Sequence, residues 1–254
     1  MRLNDFRRDT THPVAGRMSR SEIDMIAEMR AQSVLLNRRR KSTRNGGDQT
    51  RRKILDAAEV LFGRNSFDSV SLRDITGKAR VTLALASYHF GSKEALFEAV
   101  VARRADVLCR MRQERLHALR RPMTRDILDA FIAPLFEKAG SGEPGWEDYL
   151  RVLTQLGAQP RWLDLLSRHF DETAQTFLAA LKKRLPQANP RDMARVFTMI
   201  LQVMLETVSQ HRRVDVLTGG TVRAGDLDKA YPVLLQFAVA GIESFNHPRA
   251  KRRR

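Results

Sequence analysis

Residues 50–93 read TRRKILDAAEVLFGRNSFDSVSLRDITGKARVTLALASYHFGSK, and this stretch decides the fold. It opens on a predicted amphipathic helix whose apolar residues follow an i, i+3, i+4, i+7, i+8 pattern: Ile54, Ala57, Ala58, Leu61 and Phe62. The apolar residues that follow can cover that face, although they are too few for a free-standing domain: Phe67, Val70, Leu72, Ile75, Ala79, Val81 and Phe90. We therefore predict a three-helix head over residues 48–93.

Capping residues set the spacing of the second and third helices. The hydroxyl of Ser71 can cap one helix, and Asp74 then lies in its first turn, where the helix dipole favours an anion. Thr82 can cap the next helix, Gly91 can end it after about two turns, and Ser92 can open a fourth. Two capped helices joined by a tight turn are typical of a helix-turn-helix, whose second helix enters the major groove of DNA.

These segments, in this order and spacing, resemble the N-terminal signature of the TetR family of bacterial transcriptional regulators. The resemblance covers about a fifth of the chain and rests on Thr50–Ala58, Leu61–Phe62, Ser71–Ile75 and Tyr88–Leu96. It implies an all-α fold with an N-terminal head and a larger helical domain for ligand binding and dimerisation. It also implies a homodimer on a near-palindromic operator, most often a repressor that a small molecule releases.

The residues expected to meet DNA fall into two groups. Base reading is predicted from the exposed side of the third helix, through Thr82, Leu83, Ala84, Ser87 and Tyr88. Phosphate contacts are predicted from helix N-termini and the end of the recognition helix, through Thr50, Arg51, Ser71, Arg73, Tyr88, His89 and Lys93.

Arg80 departs from the usual helix-turn-helix pattern, in which glycine holds this position of the turn. The chain there tends to adopt a positive φ, which costs a residue with a Cβ about 1 kcal/mol. Either the turn tolerates that strain, or it is built differently. The side chain could also supply an additional cation near the phosphates.

Basic charge concentrates outside the large helical domain. Residues 1–47 carry eleven basic against five acidic side chains, residues 48–93 eight against five, and residues 247–254 five against none. Residues 94–246 are nearly neutral, with twenty-one against nineteen. This distribution favours local phosphate contact. We interpret 1–47 as a basic, mostly mobile extension and 247–254 as a basic tail, each either contacting DNA or merely solvated.

Composition excludes several classes of protein. No stretch reaches about 18 apolar residues and no apolar leader follows the N-terminus, so we expect a cytoplasmic protein without a membrane partner. The single Cys109 favours a packed residue over a redox sensor. Neither catalytic motifs nor metal-ligand spacings occur, so we predict no enzyme, no cofactor and no metal.

Beyond Glu94 the pattern predicts helices throughout, giving about nine with the head. Proline and glycine breaks place them near 93–119, 124–138, 146–156, 161–185, 191–213 and 226–245. The last two carry apolar stripes that are wide for one buried side: Val196, Phe197, Ile200, Leu201, Met204, Leu205 and Val208, and Val233, Leu234, Phe237, Ala238, Ile242 and Phe245. The resemblance implies a homodimer through this pair, and the alternative is internal core.

An effector pocket is expected in the middle helices, within the 94–246 domain. Its predicted lining is aromatic: Phe131, Trp146, Tyr149, Trp162, His169 and Phe170. The same residues could equally be plain core. Such a wall favours a small hydrophobic effector, with Arg151, Arg168 or His169 as anchors for a carboxylate.

We therefore predict a sequence-specific, homodimeric transcriptional regulator. The alternative is an architectural or nucleoid-type DNA-binding protein without an effector, which would bind DNA with little sequence preference.

Overall fold

The computed structural model describes residues 46–246, so the predictions for residues 1–45 and for the basic tail 247–254 lie outside it. The chain divides into two units after Gln49. Of the first unit, residues 46–49 are described, and they are helical. The packing described below is that of the second unit. The predicted boundary at residue 93 stays a prediction.

The head follows the predicted order of elements. Helix α1 is described over 46–64, a 3₁₀ turn follows at Phe67–Ser69, and then come α2 (Leu72–Ala79) and α3 (Leu83–Phe90). The N-terminus of α2 is a capping box. The backbone N–H of Asp74 donates to Ser71 Oγ at 3.1 Å, while the N–H of Ser71 donates to Asp74 Oδ2 at 2.8 Å.

Arg80 adopts the left-handed conformation, with φ 55° and ψ 48°. It is the C-cap of α2, and its backbone N–H donates to the carbonyls of Gly77 and Thr76. The turn is therefore built in the usual way, and the arginine accepts the backbone strain that glycine would avoid.

The larger domain begins with three helices close to their predicted bounds. They are α4 (Lys93–Ala118), α5 (Thr124–Gly140) and α6 (Trp146–Gly157). Ser92 caps α4 by accepting from the N–H of Ala95 at 3.1 Å. Pro134 lies inside α5, where the missing N–H interrupts the helical hydrogen bonds of the preceding turn.

The predicted helix over 161–185 is not uniform. It opens as a 3₁₀ turn at Pro160–Trp162 and continues through α7 (Leu163–Leu166) into a π-helical segment, Ser167–Asp171. Helix α8 (Glu172–Arg184) follows without a break. The π segment is a local change in hydrogen-bond register, which apolar periodicity alone does not reveal.

The C-terminal region contains one helix more than predicted. Helix α9 (Pro190–Val208) ends earlier than expected, before Gln210 takes a positive φ of 57°. A short α10 (Arg213–Leu217) follows, and α11 (Leu227–Glu243) packs against α5 and α9. With α7 to α8 taken as one segment, residues 46–246 form ten helices and no strand. None of these helices is long and apolar enough to span a bilayer.

Two apolar clusters form the core, and α4 and α6 contribute to both. The head cluster joins Ile54, Phe62, Phe67 and Ile75 to side chains of the larger domain, including Phe97, Val152 and Leu165. The second cluster lies in the larger domain, which we call the body, among α4, α5, α6, α8, α9 and α11. The head is therefore not independently packed, as its short apolar inventory predicted.

Candidate functional site

Helix α3 exposes the side chains predicted to read bases. Tyr88 is 83 % exposed and Leu83 is 41 % exposed, while Ala86 on the opposite face is buried. The other exposed residues near this surface are Thr82, Ala84, Leu85 and Ser87. Leu85 was not predicted. Five of the eight residues of α3 are thus exposed.

The residues predicted to contact phosphates lie on α1, at the start of α2 and at the end of α3. Arg51 is exposed and its guanidinium lies 5.2 Å from the ring centre of Phe90, and Arg73 is exposed on α2. The hydroxyl of Ser71 is occupied by the capping box, which lowers the pKa of Asp74 through the hydrogen bonds from Ser71. Thr50 and His89 are half-buried. Exposed cations of residues 48–93 outside the predicted set are Arg52, Lys53, Arg64, Lys78 and Arg80.

Lys93 has an internal role that sequence reasoning missed. Its Nζ donates to the carbonyl oxygens of Phe67 and Val70, both at 3.0 Å, and lies 4.2 Å from the ring centre of Phe67. Two of its three N–H donors therefore hold the 3₁₀ turn that precedes α2. The phosphate contact predicted for Lys93 stays a prediction.

The first residues of the 160–184 segment pack against the head. The Trp162 ring lies 4.9 Å from that of Phe67 and 4.7 Å from that of Phe97. Arg161 donates to both carboxylate oxygens of Asp68, at 3.1 and 2.8 Å, which lowers the pKa of Asp68. Trp162, predicted to line an effector pocket, thus lies in the contact between head and body.

Helices α1, α4 and α6 are joined by buried polar contacts. Arg104 binds Glu59 in a bidentate pair with both distances at 2.7 Å, and Glu59 is buried. The backbone of Gly63 approaches α6 so closely that a Cβ there would lie 2.4 Å from the carbonyl oxygen of Asp148. These contacts join α1 of the head to α4 and α6.

Three of the predicted effector residues are close-packed core. Phe131, Trp146 and Tyr149 are buried, and the Tyr149 hydroxyl donates to the carbonyl of Val101 at 2.9 Å. Burial raises the pKa of that phenol well above its ordinary value. Whether they form the wall of a ligand site stays a prediction.

His169 and Phe170 lie in the π segment beside α4. The carbonyl oxygen of His169 is 3.4 Å from Cys109 Sγ. The imidazole Nε2 of His169 is shielded from solvent and has no hydrogen-bond partner, and it lies 3.6 Å from Glu98 Oε1. Phe170 is half-buried and packs against both clusters. A π segment at such a position is common at functional sites.

The arginines predicted as anchors are already paired. Arg151 forms ion pairs with Glu147 and Asp148, and Arg168 pairs with Glu98. Arg112, which was not predicted, is instead buried at 4 % exposure. The sequence contains a signal for it, because Arg112 continues the apolar stripe of α4 one helical turn after Leu108.

Two of the cavities that border the larger domain are formed without any of the six predicted effector residues. The larger, about 1100 Å³, lies among the end of α9, the 211–226 segment and α11, and its walls include Val203, Leu217 and Phe237. The smaller, about 400 Å³, lies between α5 and α11 beside Tyr231. Within residues 46–246, no three His, Cys, Asp or Glu side chains are grouped to hold a metal.

The head and its exposed α3 define a helix-turn-helix DNA-binding transcriptional regulator. Residues 54–100 match the model described as bacterial regulatory proteins, tetR family, and residues 129–241 match that of the tetracyclin repressor-like C-terminal domain. The chain belongs to the TetR family.

Solved structures share the fold at low identity. The chain is similar to the fatty acid degradation regulator FadR from Bacillus halodurans, with a TM-score of 0.52 and 14 % identity over 76 % of this chain and 96 % of that one. The ketosteroid transcriptional regulator KstR2 of Mycobacterium tuberculosis is similar with a TM-score of 0.52 and 18 % identity, over 74 % of this chain and 93 % of that one. A transcriptional regulator from Saccharomonospora viridis in complex with choline is similar with a TM-score of 0.50 and 22 % identity, over 77 % of this chain and 96 % of that one. No curated protein matches the sequence.

Proposed function

We propose that this protein is a ligand-responsive repressor that binds a near-palindromic operator as a homodimer. The exposed face of α3 carries the proposal. Leu83 and Ala84 suit thymine methyl groups, and the hydroxyls of Thr82, Ser87 and Tyr88 suit base edges or phosphates. Exposed Arg51 and Arg73 would set the register of the head on the phosphate backbone.

The dimer would form through α9 and α11. Both helices bury one face in the body and expose apolar side chains on the other, with Val233 67 %, Met199 61 % and Phe237 59 % exposed. Large apolar side chains grouped on two helices of one domain support a protein interface. A two-fold axis there would present one head to each half-site of the operator.

The effector would bind in the body, among Phe131, Trp146, Tyr149, His169 and Phe170. The similar regulator from Saccharomonospora viridis was solved in complex with choline, which supports binding of a small molecule by this fold. Here the aromatic surroundings favour a hydrophobic effector. The position of Trp162 suits it better to transmitting the response than to binding the effector.

The response would travel along the 160–184 segment. This segment touches α4 at His169 and Thr173, and it holds the head through Arg161 and Trp162. An effector that displaces it would shift the head, and thus the separation of the two heads in a dimer. The effector must bind the DNA-incompetent spacing more tightly, because equal affinity for both states would move nothing.

Selection of binding sites from random DNA by the full chain tests the function. We expect one near-palindromic sequence bound at least about 10³-fold more tightly than random DNA. Ala84→Glu should abolish that binding, because a carboxylate would face the bases and phosphates. Ala179→Glu, the same change at an exposed alanine on α8, is the matched control and should bind as the wild type does.

Three results would count against the proposal. Weak binding without sequence preference would favour the architectural alternative. Wild-type affinity of Ala84→Glu would remove α3 as the reading helix. Loss of binding by Ala179→Glu would indicate that the first variant fails for reasons unrelated to the groove.

A further inference from the structure

Arg112 is a buried cation in the centre of the body. Its side chain leaves α4 toward α5, donates from Nε to the carbonyl of Phe131 at 2.9 Å and stacks 4.0 Å from the Phe131 ring centre. Pro134 removes the N–H that would bond the carbonyl of Ala130, so the helix is weakened next to the carbonyl that Arg112 binds. The contact orients the guanidinium but uses only one of its five N–H donors.

No carboxylate within residues 46–246 balances this charge. Every ion pair formed there involves another cation, and the ionisable groups that act on Arg112 are Cys109 and Tyr149. Burial lowers the pKa of Arg112 to about 10, so the side chain remains a cation at neutral pH. A buried charge without a counter-ion is among the costliest features that a fold can contain.

The terminal nitrogens of Arg112 border accessible space. In residues 46–246, the polar side-chain atoms that lack both a partner and solvent contact belong to Thr124, His169 and Asn246. The two terminal nitrogens of Arg112 make no hydrogen bond within the same residues, yet they are not in that group. The unused edge of the guanidinium therefore keeps some contact with solvent.

We propose that Arg112 is the anchor of an anion site in the body, and that it binds the carboxylate of a small hydrophobic acid. The inference rests on the proposed effector response and specifies the chemistry of the effector. The guanidinium fork matches a carboxylate with two parallel hydrogen bonds. The ring of Phe131, which packs against Phe177 at 4.9 Å, provides apolar surroundings for the remainder of the molecule.

Arg112 suits this role better than the anchors predicted from sequence. Arg151, Arg168 and His169 each face an acidic side chain, so a ligand carboxylate would be repelled there or would have to displace an existing partner. At Arg112 the ligand would supply the missing counter-charge instead. The bound acid is therefore favoured both by its own contacts and by neutralising a charge that the protein already contains.

Thermal unfolding and calorimetry of the full chain test the proposal. The probes are octanoate, decanoate, dodecanoate and 3-phenylpropionate, each beside the corresponding alcohol. Wild-type protein should bind at least one acid and be stabilised by it in proportion to its concentration. It should bind the matching alcohol about 10- to 100-fold more weakly, the range expected for losing a charged hydrogen-bonded pair.

Arg112→Met removes the charge and keeps an apolar side chain. Without ligand this variant should unfold at the same temperature as the wild type or higher, and it should bind acid and alcohol within about threefold of each other. Arg112→Lys keeps the charge without the fork and should retain part of the preference for the acid. Arg115→Met is the matched control on the same helix, because Arg115 pairs with Glu137, and it should bind as the wild type does.

The outcomes separate this site from the proposed function. If no acid binds the wild type in preference to its alcohol, or if Arg112→Met and Arg112→Lys bind acids as the wild type does, the anion site is wrong. If acids bind through Arg112 but operator affinity does not change, the site stands and the effector response is wrong. If Arg112→Met fails to fold, Arg112→Lys still decides the matter through its acid preference.

Discussion

Lys93 is the residue at which position in a motif and physical role diverge most. Its sequence context suggests a cation that faces DNA phosphates from the start of α4. In the folded chain its ammonium group binds the carbonyls of Phe67 and Val70 and lies over the Phe67 ring. Only one N–H of the Lys93 ammonium is left for a DNA phosphate, because the other two bind these carbonyls. The main role of Lys93 is therefore to fix the turn that leads into α2.

We predict that Lys93→Met destabilises the protein by about 1–3 kcal/mol, because two half-buried carbonyls lose a charged donor. Denaturant unfolding measures this. Lys53→Met, at an exposed site on α1, is the control and should change stability by less than about 0.5 kcal/mol. Equal effects of the two changes would contradict the internal role. A phosphate contact would be visible separately, as a salt dependence of DNA binding that falls by about one in slope.

Among the structural elements, the 160–184 segment differs most from its expectation. A continuous amphipathic helix was predicted, and the chain instead forms a 3₁₀ turn, a short α-helix, a π segment and a long α-helix. The irregular half contacts the head, and α8 packs in the body. This segment thus contacts the apolar core of the DNA-binding head and, through α8, the region of the body beside Arg112.

We predict that Trp162→Ala loosens the head from this segment. The change removes an aromatic side chain packed against Phe67 and Phe97, and such losses cost about 2–4 kcal/mol. Amide hydrogen exchange should accelerate in the 67–79 region of the head. Leu163→Ala, at an exposed neighbouring position, should leave that exchange unchanged. Unaltered protection in Trp162→Ala would show that the aromatic contact does not hold the head.

At the scale of the whole molecule, α9 and α11 leave an apolar surface uncovered in one chain. The two helices pack together through buried residues such as Phe197, Ile200, Leu234 and Ala238. Their outward faces hold Met199, Val203, Val233 and Phe237. Periodicity predicted both helices, and the width of the stripes predicted a second contact face.

We predict that Phe237→Asp converts the protein to a monomer, because a charge placed in an apolar interface loses its water on association. Sedimentation velocity should detect the change, and operator affinity should fall with it, since two heads no longer bind together. Leu163→Asp, a similar change at an exposed site on α7, should remain dimeric. A dimer that survives Phe237→Asp would place the interface elsewhere.

The sequence by itself determined the features that depend on neighbours along the chain. Three helix ends join residues within three or four positions of each other: the capping box of Ser71 and Asp74, the Ser92 cap and the end of α3 at Gly91. Such local contacts can be predicted from the sequence alone. Apolar periodicity likewise predicted α4, α5, α6 and α11 to within a few residues.

Only the tertiary structure decided which charges and rings meet across long separations. Trp162 packs against Phe67 and Arg168 pairs with Glu98, whereas Arg112 pairs with no acid within residues 46–246. Periodicity specifies that a face is buried but not what it is buried against, so aromatic pocket walls and aromatic core look alike in sequence. Pairing of buried charge depends on packing between helices that are distant in the chain, and that geometry exists only once the chain is folded.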